Sequence, residues 1–269
     1  MNINNIFLEM VRILIIAIVL FPVLKSNGQM LPYDSLKAAI EKEIQFIDSY
    51  NFSDVTEGDT DIESLVMSTS KKIVNLLSRN ESSQLKTNPL HNLELATSYG
   101  DSLIRIYTFS LYSGGSRGSI NYPIIQWKKP DGSFGAYNLS KKINSHFYEI
   151  IKLKSKYKNL FLVFGVERGN ISHIYYTVFI MQFNKDYLIL DYPALFGFSN
   201  ITYVNSDLSF DERDQILKIE LHDSFDIELP RDMGITQDEE NKIYERIKQS
   251  FKDEWVSELR FDGIRFVRK

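Results

Sequence analysis

Between Ser35 and Tyr50, Leu36, Ile40, Ile44 and Ile47 recur at three- and four-residue spacing, which predicts a helix with Asp34 or Ser35 at its start. The rhythm returns over Ile62–Arg79 through Leu65, Ile73, Leu76 and Leu77, with a Ser/Thr run at 68–70 where an interruption is expected. The acidic stretch Asn51–Asp61 links the two, and Arg79–Asn88 is a polar loop ending at Pro89. From Leu90 the period changes to two. Leu93–Ser98 and Leu103–Phe109 alternate around Tyr99-Gly100-Asp101, and Ile120–Trp127 and Phe134–Leu139 flank the turn Pro130-Asp131-Gly132. Leu160–Val166, Ile174–Phe183, Tyr187–Leu190, Ile201–Val204 and Ile216–His222 read as further strands. Ser145–Lys156 fits a helix or a strand.

The stretch 236–256 predicts a helix capped by Thr236, with Glu239 three residues on and a stripe of Ile243, Ile247 and Phe251. Phe261-Asp262-Gly263-Ile264 then turns into a last strand, Arg265–Val267. Short strands joined by turns leave little room for the crossover helices of a parallel sheet. The expectation is therefore an α+β fold. Its antiparallel β-meander is curled into a barrel or half-barrel, with helices at the N-terminal side and one C-terminal helix before a last strand.

Ahead of all this, Ile13–Leu24 is a run of twelve apolar residues behind Arg12. As a helix it spans roughly 18 Å, short of a hydrocarbon core of about 30 Å. Ser26-Asn27-Gly28 puts small residues before Gln29, as a signal-peptidase site requires. Residues 1–28 thus read as a secretory signal peptide, with Met1 or Met10 as its start, and 29–269 as a single exported domain. Its 29–89 part is helical and its 90–269 part β-rich. The expected location is the periplasm or the exterior, with no stable membrane anchor after cleavage.

Composition narrows the chemistry. Cysteine is absent, which excludes disulfides, thiolate metal sites, cysteine nucleophiles and a lipidated cysteine anchor. Without Glu9, Arg12 and Lys25 the mature chain keeps 29 basic and 34 acidic residues. That balance gives no counterion-release drive toward a phosphate backbone, so no nucleic-acid partner is expected. No cofactor motif is present. The four histidines lack metal-ligand spacing, and no metal site is assigned.

Gly114-Gly115-Ser116-Arg117-Gly118 matches G-x-S-x-G, and Asp191 and His222 follow in the order of a hydrolase triad. Ser116, Asp191 and His222 are therefore the catalytic candidates. The segment after the motif is β-branched and aromatic, however, and contains Pro123, so no helix follows the serine and a glycine-rich hairpin loop is the favoured reading. A carboxylate-based glycosidase drawing on Glu94, Asp101, Glu167 and Asp191 is the other enzymatic option. The aromatic loop Tyr192-Pro193-Ala194-Leu195-Phe196-Gly197-Phe198 offers binding candidates in Tyr192, Phe196 and Phe198, suited to a glycan or protein partner if they are not core.

One resemblance adds to this reading. Asp101, Arg105, Tyr107, the Gly114-Gly115 pair with Ser116, Gln126 and the Phe161–Val166 strand make residues 98–190 similar to a group of uncharacterised exported proteins of Bacteroidota. The resemblance implies habitat and fold and brings no activity with it. The resulting expectation is an exported soluble binding or interaction module rather than an enzyme.

Overall fold

The computed structural model describes residues 31–50, 61–79, 81, 90, 93–98, 104–114, 118–184, 186–230, 236–253 and 255–269. The expected signal segment 1–28, the linker around Gly58, the expected turn at Tyr99–Asp101 and Ser116 lie outside them. Leu36–Lys269 form one compact unit, and Leu31–Ser35, the described end of the segment before it, enter the first helix.

Helix α1 (Tyr33–Ser49) buries the predicted stripe but begins ahead of Asp34 and Ser35, and α2 (Ile62–Leu77) buries Ile73, Leu76 and Leu77 as predicted but Ile62 and Val66 rather than Leu65. Asp61 caps α2 by accepting the Ser64 N–H. The Ser/Thr run does not break the helix. Thr69 is buried and donates to Glu43 of α1 (2.8 Å), and Lys72 pairs with the same carboxylate, so polar residues join the two helices.

Fifteen strands among the described residues form three open sheets, with every paired strand antiparallel to its neighbour. The first sheet is β1 (Glu94–Thr97), β2 (Ile104–Gly114), β3 (Gly118–Lys128) and β4 (Phe134–Asn138), in that order. The second holds β5 (His146–Lys152), β6 (Asn159–Arg168), β7 (Ile174–Asn184), β8 (Tyr187–Ile189), β9 (Asn200–Val204) and β12 (Ile227–Glu228). The third holds β10 (Ser206–Asp211), β11 (Ile216–Leu221), β13 (Phe251–Lys252), β14 (Val256–Phe261) and β15 (Phe266–Arg268). Helix α3 (Gln237–Lys248) enters through a capping box between Thr236 and Glu239.

The second sheet lies between the other two, and β6 shows why. Leu160, Phe161, Leu162, Val163 and Phe164 are all fully buried. Because successive strand residues point to opposite faces, Phe161 and Val163 join one core with Ile104, Ile106 and Ile125 of the first sheet. Leu160, Leu162 and Phe164 join another core with Leu217, Ile219 and Leu259 of the third. A continuous apolar run is what a strand covered on both faces requires. The same fact overturns the expected barrel: a strand on its wall would show polar residues to the outside, and here both sides carry a packed layer. The sheets stay open.

Helix α2 covers the other face of the first sheet. Gln126, which is buried, donates to the Leu77 carbonyl (2.7 Å) and accepts from the Tyr107 hydroxyl (3.2 Å), tying β2 and β3 to the end of α2. The outer face of the third sheet is polar, with ion pairs Lys218–Glu220 and Glu258–Lys269.

Two further expectations change. The ambiguous 145–156 stretch is strand β5, whose register slips by one residue between Phe147 and Glu149. That bulge sets Phe147, Ile150 and Ile151 at helical spacing although the chain is extended. At the other end, α3 stops at Lys248 rather than running to 256. Ser250 donates to the Ile247 carbonyl (2.6 Å), and Phe251 enters the core from a strand.

Candidate functional site

Of the catalytic candidates, Ser116 lies outside the described residues and the other two do not meet. Ile189, two residues before Asp191, pairs with Gln182 near one end of β7. His222 donates its backbone N–H to Asn205, which in turn bonds Ile174 at the other end. The eight residue steps from Ile174 to Gln182 cover roughly 26 Å of extended chain. Each side chain also has its own partner: Asp191 stands 2.7 Å from Lys142 Nζ, and His222 Nε2 stands 3.1 Å from Asp207. Glu94, one of the glycosidase carboxylates, stands 2.7 Å from His146 Nδ1. Asp101 lies outside the described residues. Among the described residues no group of three His, Asp or Glu is placed to hold a metal ion.

The aromatic loop divides. Tyr192 and Phe198 are 7% and 8% exposed and belong to the core beneath the third sheet. The Tyr192 hydroxyl donates to the Ile264 carbonyl (3.0 Å), and Lys158 Nζ lies 4.5 Å from its ring centre. Phe196 differs. Leu195 and Phe198 exchange backbone hydrogen bonds at 2.9 and 2.7 Å, leaving Phe196 and Gly197 as a two-residue turn with φ of +52° and +102°. Positive φ at both central positions is the hairpin turn that matches strand twist, and it favours Asn-Gly. A phenylalanine in the first place occupies left-handed backbone that a β-carbon disfavours.

The turn is held from two sides. Phe266 of β15 donates its backbone N–H to the Ala194 carbonyl (2.8 Å), and Arg246 of α3 donates through Nη2 to the Phe196 carbonyl. Phe196, half-buried and packed against the core beneath the third sheet, thus lines a cleft of about 460 Å³ between the turn, the end of α3 and β15. Arg246, Arg265, Phe266 and Arg268 line it, with Gln249 at the helix end.

No lining residue is a carboxylate or a histidine. The one lining hydroxyl, Ser250, is engaged with the Ile247 carbonyl and the Ser257 hydroxyl (2.9 Å). A nucleophile needs a neighbouring base, and this cleft supplies none. Its chemistry is an aromatic face beside guanidinium donors, which suits binding. Sequence reasoning reached Phe196 through the aromatic run but missed the arginines, because they arrive from two distant segments. The signal within reach was the density of Arg260, Arg265, Arg268 and Lys269 in the last ten residues.

Comparison with known proteins finds no match to this chain among family models, curated proteins or solved structures.

Proposed function

We propose that this chain is exported, loses residues 1–28, and acts as a soluble glycan-binding module whose ligand seat is the cleft at the 193–198 turn. The observation that carries the reading is Phe196. Left-handed backbone at a bulky residue costs on the order of 1–2 kcal/mol, and such strain persists where the surroundings over-determine it, commonly at binding sites. Here Arg246 and β15 fix the turn and hold Phe196 beside the cleft, its side chain braced on the core. A flat aromatic face beside hydrogen-bond donors is the usual means of gripping a sugar ring. Asp191 and His222, paired elsewhere and far apart along β7, lend the hydrolase reading no support.

A glycan array probed with residues 29–269 and with Phe196→Ala tests the reading. The wild-type protein should retain a defined subset of glycans, and the variant should lose it while keeping its far-UV circular dichroism. A blank array, or retention unchanged by the substitution, would overturn it.

A further inference from the structure

Resting on that reading of the cleft, we infer that its ligand carries an oxyanion, a carboxylate or a sulfate or phosphate ester, held by Arg246, Arg265 and Arg268 beside the Phe196 ring.

Three arginines line one cleft in a chain whose mature form is net acidic. Among the described residues none of the three stands in an ion pair. The Asp262 carboxylate accepts the backbone N–H groups of Ile264 and Arg265 through one oxygen, both at 2.8 Å, and feels the Arg265 charge without forming a close ion pair with it. Arg246 spends one nitrogen on the Phe196 carbonyl and retains further donors, since a guanidinium offers five N–H groups in a planar fork.

Helix polarity accounts for part of this charge only. A cation near a helix C-terminus is favoured by the last carbonyls, which explains Arg246 in the final turn of α3. Arg265 and Arg268 come from β15 and the turn before it, where no such field operates. All three arginines are solvent-exposed, so they tolerate one another without a ligand and stay free to receive one. The fork geometry matches carboxylate, sulfate and phosphate oxygens, while the phenyl ring covers an adjacent apolar or sugar face. An acidic sugar presents both features together.

Titration calorimetry on residues 29–269 with glucuronate, glucose 6-sulfate, inorganic phosphate and glucose distinguishes the possibilities. The charged sugars should bind and glucose should not. Arg265→Gln/Arg268→Gln, both at exposed positions, should weaken the charged sugars roughly tenfold or more, with the melting temperature nearly unchanged. Raising sodium chloride should weaken the same binding. Glucose binding as tightly as glucuronate, in a manner lost in Phe196→Ala, would overturn the oxyanion inference and leave the glycan reading standing. Phosphate bound through Arg265 and Arg268 with no sugar bound would keep the oxyanion site and overturn the glycan reading. No binding by any of the four would overturn the inference.

Discussion

Phe196 allows a direct measurement of the backbone strain stored in the turn beside the cleft. Phe196→Ala removes a half-buried ring and keeps a β-carbon at φ +52°. Losing about half of a phenyl ring's burial is worth roughly 1–2 kcal/mol at about 25 cal/mol per Å². Phe196→Gly removes the same ring and also the β-carbon. Relief of the left-handed cost returns about 1–2 kcal/mol, and the greater freedom of glycine in the unfolded chain takes back roughly 0.4–1. The glycine variant should therefore be more stable than the alanine variant by about 0.5–1 kcal/mol, although glycine ordinarily ranks below alanine. Urea unfolding of the two variants under one slope gives this difference from the midpoints alone. If alanine equals or exceeds glycine, residue 196 is not held left-handed, and the clamp formed by Arg246 and β15 is not storing strain.

Other parts of the fold yield sharper or simpler tests. A β-carbon on Gly165 would stand 2.8 Å from Ser145 Cβ and 2.9 Å from the Phe147 ring, so Gly165→Val should cost about 1–3 kcal/mol or more by chemical denaturation. Gln126→Leu leaves the Leu77 carbonyl and the Tyr107 hydroxyl without the amide that bridges them, and should cost about 2 kcal/mol by the same assay. The backbone N–H of Thr236 holds the Glu239 carboxyl below its ordinary value, and the Ser64 hydroxyl and N–H do the same for Asp61. Carboxyls with lowered folded-state values stabilise above the ordinary carboxylate range and lose that contribution as pH falls through their own lower values. The thermal midpoint should therefore drop on acidification, and less steeply in Glu239→Gln. Expressed in a Gram-negative host, the protein should appear in the periplasmic fraction with an intact mass starting at or near Gln29; a membrane pellet retaining residues 1–28 would refute the export reading.

How far the sequence carried depended on how local each signal was. The stripe of α1, the Thr236–Glu239 box and the Pro130-Asp131-Gly132 turn are short-range, and each stands where it was expected, while α2 buries Ile62 and Val66 in place of Leu65. Strand β10 escaped notice because only Leu208 and Phe210 alternate with polar residues within it. The β5 bulge left its segment readable as either a helix or a strand, and Phe251 extended a helical stripe that the chain had already left. Both share a cause: spacing reports which residues are buried, not which element buries them. Sheet stacking was the largest miss. The unbroken apolar runs of β6 and β7 fit a layer covered on both sides, but the covering layers come from residues 104–125 and 217–261, beyond any local window.

That stacking also explains where a ligand site has room to form. The central strands of the second sheet, β6 and the middle of β7, present neither face to solvent, and the first sheet packs on α2 on one side and on the second sheet on the other. The third sheet shows an outer face of alternating charges already engaged in ion pairs across neighbouring positions. A concave surface is then left to the rims, where connections rather than strands meet. The cleft forms at one such rim, where the excursion between β8 and β9 leaves the second sheet and docks on the edge of β15 through the Leu195–Phe266 bridge. Helix α3 closes it from the side. The turn, the end of α3 and β15 thus supply the three walls, with Phe196 held in a two-residue turn beside the cleft. The arrangement favours a site fixed before the ligand arrives, which lowers the ordering cost of binding. Crosslinking α3 to the turn should then leave affinity nearly intact, whereas a site that assembles around its ligand would lose most of it.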